Sequence, residues 1–192
     1  MKNRSLFTFL FVLAVSATSL FAQEEMSPEM QAWNEYMTPG PMHEKMAAYA
    51  GEWKAEIKMW QYPGAEPTVS EGTTSIEMIL GGRYLKSVHK AEFMGMEMNG
   101  LSIEGYDNST KEFTSVWYDN FGTGTMIGKG TWDEANQSLN YKGTVVDPMT
   151  GKEESFREVM YYIDSNHQKM EMFMVTPEGE FQSMEIMFTR IK

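Results

Sequence analysis

The sequence predicts an all-β protein, a closed antiparallel up-and-down barrel of roughly ten strands behind a short N-terminal helical segment. Three observations carry this. From Trp53 onward, segments rich in Val, Ile, Thr, Tyr, Phe and Trp recur between turn signals. Their connections are shorter than the dozen or so residues that a parallel crossover needs, so sequence neighbours pair antiparallel. An open meander of this length would leave two long unpaired edges, and closure removes both.

The chain begins with Lys2 and Arg4 and carries no charge from Ser5 to Ala22. A basic start, an apolar run and a small-residue end form the pattern of a secretory signal peptide, with cleavage expected after Ala22. The run is shorter than the roughly 20 residues that span a bilayer. Residues 1–22 are therefore set apart, residues 23–50 form the helical segment and residues 51–192 the barrel domain, exported to the periplasm or the medium. There is no cysteine, so neither a lipid anchor nor a disulfide is expected, and burial of apolar surface has to hold the fold.

Without Lys2 and Arg4, 14 basic residues face 27 acidic ones, a formal charge of −13. That field repels phosphate backbones and anionic headgroups. Nucleic acid and membrane surfaces are disfavoured as partners, membrane insertion after cleavage is not expected, and the same charge serves solubility in a monomer.

In the helical segment, Ser27, Pro28 and Glu29 supply an N-cap, a first-turn proline and an early acid. Met30, Trp33 and Met37 then share one face. Thr38-Pro39-Gly40-Pro41 interrupts, and a second helix follows with Met42, Met46 and Tyr49 on one side and Gly51 as its C-terminal cap. Strands are expected near 52–62, 69–79, 83–93, 97–106, 111–118, 123–132, 138–146, 153–163, 168–175 and 181–191. Tyr62-Pro63-Gly64, Gly81-Gly82, Asp107-Asn108, Asp119-Asn120, Asp147-Pro148 and Pro177-Glu178-Gly179 mark turns.

In the first strand Trp53, Ala55, Ile57 and Met59 alternate with Lys54, Glu56 and Lys58. The last two strands are apolar on both faces, with Phe173, Val175, Met184, Ile186 and Phe188 assigned to one and Met170, Met172, Met174 and Met187 to the other. Such strands are covered on both sides. The expectation is that one face lines the barrel and that the helices of residues 23–50 pack on the other.

The ordered series Gly51-Glu52-Trp53, Gly81-Gly82-Arg83-Tyr84-Leu85, Gly105-Tyr106-Asp107-Asn108, Trp117-Tyr118-Asp119, Gly130-Thr131-Trp132-Asp133 and Thr189-Arg190 resembles the bacterial family known as domain of unknown function 1579. The resemblance spans residues 41–192. It implies a lipocalin-like, calycin-type barrel, often exported, with no agreed activity and hence no catalytic residues to carry over. Trp132 stands where the family usually has Tyr. Methionine is also more abundant here than the family leads one to expect.

Of the 19 methionines, 18 follow the leader. Met94-Gly95-Met96-Glu97-Met98 and Met170-Glu171-Met172-Phe173-Met174 would each align three thioethers on a strand face, a geometry suited to Cu(I). Neither run contains a histidine, and thioethers also fill irregular cores and adaptable pockets. His43, His89 and His167 fall on a helix, a strand and a turn without HxH or HExxH spacing, which excludes a recognisable zinc site. His89 shares a face with Leu85, Ser87, Ala91 and Phe93, and an inward imidazole there is a candidate haem ligand by analogy with other barrels.

Arg157, Glu171, Glu185 and Arg190 are candidates for a polar pocket, or else for ordinary surface pairs. Trp53, Tyr84, Tyr106, Trp117, Trp132 and Tyr161 supply aromatic walls or simple barrel filling. The candidate ligand contacts are thus Trp53, Tyr84, Tyr106, Trp117, Arg157, Met172 and Glu185. Gly122-Thr123-Gly124-Thr125 and Gly128-Lys129-Gly130 lead into no helix, so they read as tight strand geometry and bulges rather than phosphate loops. With no nucleophile, base and orienting group at catalytic spacing, an enzyme is not expected and no cofactor is assigned.

The leading reading is an exported protein that binds a small apolar or amphipathic ligand inside the barrel. The alternative is a non-enzymatic interaction or structural module with a filled barrel and an exposed apolar patch. Haem or copper binding ranks behind both.

Overall fold

The computed structural model describes residues 26–177 and 179–191. The expected signal peptide lies outside the described residues. Two helices, α1 (Pro28–Met37) and α2 (Pro41–Ala47), precede ten strands: β1 (Gly51–Met59), β2 (Thr68–Ile79), β3 (Tyr84–Phe93), β4 (Met96–Asp107), β5 (Glu112–Asp119), β6 (Met126–Asp133), β7 (Ser138–Val146), β8 (Glu153–Asp164), β9 (His167–Thr176) and β10 (Gly179–Arg190). Each strand pairs antiparallel with its sequence neighbours, and β10 returns to β1 from Trp53 opposite Arg190 to Met59 opposite Met184. The expected closed up-and-down barrel is the fold observed.

Aspartates end the strands by accepting hydrogen bonds from the turn that follows, which gives turn amides a partner that the ladder no longer supplies. Asp107 takes the Ser109 amide, Asp133 those of Ala135 and Asn136, and Asp164 that of Asn166. At the other end Asp147 takes the Met149 amide. Asp119 binds the amides of Phe121 and Gly122, which holds the connection after β5 as a loop, so β6 begins at Met126 rather than at 123. Likewise β1 stops at Met59 rather than 62, ahead of the Tyr62-Pro63-Gly64 turn.

The helices depart from expectation. They do not cover the outer face of the last strands. Every residue of α1 is exposed, and its end is tied to the barrel through backbone carbonyls: Arg83 donates to Met37, and Asn108 donates to Glu35 at 2.9 Å and Thr38 at 2.8 Å. The second helix is a plug. Its Met46 is buried among Leu85, Phe113, Leu139 and Tyr141, and Lys45 lies 4.5 Å above the Trp132 ring, at the end where the β2–β3, β4–β5, β6–β7 and β8–β9 turns gather. Gly51 caps no helix. Its φ of 143° opens β1 instead.

The two-sided apolar strands also sort differently. Register places Met172 opposite Met184 and Met170 opposite Ile186, so these four share the inner face with Phe188. Phe173 lies on the outer face beneath Arg157, whose guanidinium sits 3.9 Å from the ring, and Lys169 covers Tyr161 at 4.8 Å. Long basic side chains, not helices, shield these outer rings.

The floor is locked by one constellation. Trp53, fully buried, donates its indole N–H to the Tyr49 carbonyl at 3.0 Å. The Arg190 guanidinium lies 4.2 Å over that indole and donates to the carbonyls of Ala48 (2.8 Å), Ala50 (2.7 Å) and Ser165 (2.6 Å). One side chain therefore ties the end of the α2 plug, the entry to β1, the last strand and the β8–β9 turn. Replacing Arg190 with Ala is expected to cost about 3 kcal/mol by urea unfolding, and Arg190→Lys to recover less than half, because an ammonium cannot spread over three separated carbonyls. A loss below about 1 kcal/mol for Arg190→Ala would show that the floor holds without this clamp.

Candidate functional site: the barrel lumen

Alternate residues of each strand face inward, and above the plugged floor they enclose a cavity of about 320 Å³. That is within the range of small-molecule sites, near its lower end. Space remains because aromatic rings lie flat against glycine backbone. A Cβ on Gly100 would come within 2.3 Å of the Trp117 ring, one on Gly130 within 2.5 Å of Tyr141 and one on Gly143 within 2.7 Å of Phe156. Gly128 and Gly130, read from sequence as bulge residues, pair in unbroken register. They are packing sites for rings.

The lumen is polarised across its width. On the side of β1, β9 and β10 its wall is apolar, built by Ile57, Met59, Met172, Met184 and Ile186. At the mouth Phe93 and Phe121 line the space together with Lys90, Glu92 and Asp119. On the other side Tyr141 reaches from β7 across to β4 and donates its hydroxyl to Glu104 Oε2. Glu104 Oε1 and the Gln168 amide nitrogen have no hydrogen-bond partner among the described residues. Glu158 faces the same space from β8.

Burial pushes the Glu104 carboxyl up to about 7, opposed by the Tyr141 hydrogen bond. It also pushes Glu158 up to about 7, with the negative charge of Glu104 acting in the same direction. The two carboxyls therefore sense one another in a space of low polarisability. Burial raises the Tyr141 and Tyr162 hydroxyls well above the usual phenol range, keeping both neutral. On β3, next to the strand that carries Glu104, burial lowers His89 to about 4. Its neutral ring lies 3.0 Å from Thr74 Oγ1, 3.4 Å from Ser102 Oγ and 5.0 Å from the Trp117 ring centre. Among the lining residues Lys90 is the sole lysine or arginine, and it is exposed.

The residues singled out from sequence divide by face. Trp117 and Met172 line the cavity, with Trp117 donating to Asp119 at 2.7 Å. Trp53 points inward but lies in the floor beneath Arg190. Tyr106 packs between Phe113 and His43, and together with the half-exposed Tyr84 it borders a separate groove of about 560 Å³ under the end of α1. Arg157 and Glu185 are on the outer surface, where Arg157 pairs with Glu180 at 2.8 Å and Glu185 with Lys58 at 2.9 Å. Glu171 pairs there with Lys169, and Arg190 is committed to the floor clamp. Among the methionine runs, Met98, Met170 and Met172 line the lumen, while Met94 and Met96 are exposed near the β3–β4 turn.

Sequence reading missed Glu104, Glu158, Tyr141, Tyr162 and Gln168. The available signal was an inverted alternation. In β4 the inward set is Ser102 and Glu104, while Leu101 and Ile103 point outward, the reverse of what apolar-inside patterning expects.

The raised carboxyls fix a pH dependence. A group whose folded pKa lies above its unfolded value of 4.5 lowers stability as pH rises towards about 7, whereas His89, depressed from 6.5, weakens the fold as pH falls towards about 4. Two carboxyls outweigh one imidazole, so stability is expected to fall between about pH 5 and about pH 8. Glu158→Gln should gain about 2 kcal/mol at the higher pH and far less at the lower, measured by urea unfolding at both. An equal effect at the two pH values would mean that Glu158 carries no buried charge.

No curated protein matches the sequence. The crystal structure of Rv2717c from M. tuberculosis is similar in fold, with a TM-score of 0.60 and 14% identity over 81% of this chain and 100% of that one. A family described as protein of unknown function (DUF1579) matches residues 38–190. The match takes in the plug, all ten strands and both partners of the floor clamp, and the chain belongs to this DUF1579 family.

Proposed function

We propose that this protein is an exported carrier, freed of its leader after Ala22, that holds one small amphipathic or apolar molecule in the barrel lumen. The observation that carries the reading is the unfilled space of about 320 Å³ inside the barrel, walled on β1, β9 and β10 by methionine and isoleucine. Barrels of this size either fill their interior with side chains or leave room for one ligand, and the filled-barrel alternative requires the former. Methionine suits the task, because unbranched thioethers re-pack around varied apolar shapes at little cost.

The plug and the Arg190 clamp close one end, so entry is from the other, where Met94, Met96 and Phe121 are exposed. A second reading, contact with a protein partner through the helical arm, is favoured by Met30, Trp33 and Met37, which are exposed on α1.

Protein exported by its own host is expected to begin at Gln23 and, in native mass spectrometry, to carry a small-molecule mass released on denaturation. Filling the lumen with Met172→Trp should weaken uptake of the neutral dye Nile red by about tenfold or more and change unfolding free energy by less than about 1.5 kcal/mol. Undiminished uptake by the filled variant would move binding away from the lumen, and absence of both a bound mass and dye uptake would defeat the carrier reading.

A further inference from the structure

We infer that the lumen is selective for amphiphiles with a positively charged amine head, seated between Glu104 and Glu158, with the tail against the apolar wall of β9 and β10. This rests on the lumen-binding reading and names its ligand class.

The two carboxyls are in the polar half of the cavity without a cation. Glu104 commits one oxygen to Tyr141 and leaves Oε1 bare, and Glu158 accepts no hydrogen bond from the described residues. Gln168, 3% exposed, leaves its amide nitrogen without an acceptor on the same lining, a donor that a carboxylate oxygen or a ligand hydroxyl can meet and an ammonium cannot. A carboxylate withdrawn from water needs a counter-charge or a proton. The basic side chains adjacent in the fold do not provide one. Arg157 pairs outside with Glu180, Lys169 with Glu171 and Lys58 with Glu185, while Arg190 is spent on floor carbonyls.

The polar groups around the two carboxyls are neutral, namely the Tyr141 and Tyr162 hydroxyls, the His89 ring and the serines beside it, whereas Lys90, Glu92 and Asp119 line the mouth end. An ammonium head would supply the missing positive charge and donate to Glu104 Oε1 and the Glu158 carboxylate, making charge-assisted hydrogen bonds of the stronger kind. A fatty-acid head would instead add a negative charge beside two carboxyls whose ionisation burial already opposes. Beside Glu158 the wall turns to Met172, which pairs with it on β9, and to Met184 and Ile186 on β10, which suits an alkyl chain.

The test uses the mature protein, Nile red as reporter, and three competitors sharing one tail: decylammonium, decanol and decanoate, at neutral pH and below their aggregation concentrations. Decylammonium is expected to displace the dye with a Kd lower than that of decanoate by about tenfold or more, with decanol between them. In the double variant Glu104→Gln, Glu158→Gln the amine advantage should shrink to about threefold or less, while decanol is unchanged. The wild-type ranking stands as a test even if that variant folds poorly. Decanoate binding as well as the amine, or an amine advantage that survives in the folded double variant, overturns the head-group selectivity and leaves a lumen site intact. If the dye is bound but none of the three displaces it, the head-group assignment also fails. If the dye itself is not bound, the lumen reading falls and this inference with it.

Discussion

The contact on which the rest of this molecule depends is the stack of Arg190 on Trp53 at the floor of the barrel. A closed sheet has no edge, but its ends remain open, and an open floor would admit water to the whole interior. Here the first and last strands meet with Trp53 opposite Arg190. The guanidinium covers the indole and also satisfies carbonyls at the end of the plugging helix, groups that a short helix otherwise leaves unpaired. A positive charge is favourable at that helix end as well. Burying the indole, closing the seam and seating the plug are therefore one event. The consequence reaches upward, because only a sealed floor lets Glu104, Glu158 and Gln168 remain out of bulk water.

Above the floor, the interior is shaped by pairing rings with glycines. Tyr141 lies against the backbone at Gly130, Phe156 against Gly143 and Trp117 against Gly100. Each pairing keeps a large ring pressed to the wall, where it contributes apolar burial without projecting into the centre. Tyr141 then braces the barrel by linking β7 to Glu104 on β4. The result is a rigid wall around a void rather than a packed core. Methionine supplies the remaining adaptable surface on β9 and β10.

Much of the fold was legible because turns and closure have local chemical signatures. Aspartate-ended strands, Gly81-Gly82 with φ of 67° and 80°, and β-rich segments of even length lead to ten strands and a barrel. Less legible was anything that depends on which parity faces inward. Strands apolar on both sides, such as β9 and β10, give no parity from alternation, so the grouping of Phe173 with Met184, Ile186 and Phe188, and of Met172 with Met187, fails, and with it the expected seat of the helices. Gly51 has the same ambiguity on a smaller scale, since a glycine after a helix and a glycine before a strand look alike in sequence. Register resolves both, and register is a long-range property.

The inverted strands take this further. Ser102 and Glu104 face the lumen between outward Leu101 and Ile103, and Ser115 does so on the adjoining β5 beside outward Val116. Apolar side chains on the outside are ordinary on a protein surface, and here Ile103 and Val116 are covered in part by the groove under α1. Polar groups on the inside are not ordinary, because each forfeits hydration that burial alone never returns. Had stability been the sole constraint on β4, exchanging the two faces would bury Leu101 and Ile103 and release a carboxyl to water. The strand instead keeps its carboxyl inside, held by the Tyr141 hydroxyl and opposed by a second carboxyl from β8. A polar lumen wall on β4 and β5 that faces a methionine and isoleucine wall on β9 and β10 makes the interior amphipathic. A site of that character is complementary to a molecule with two unlike ends.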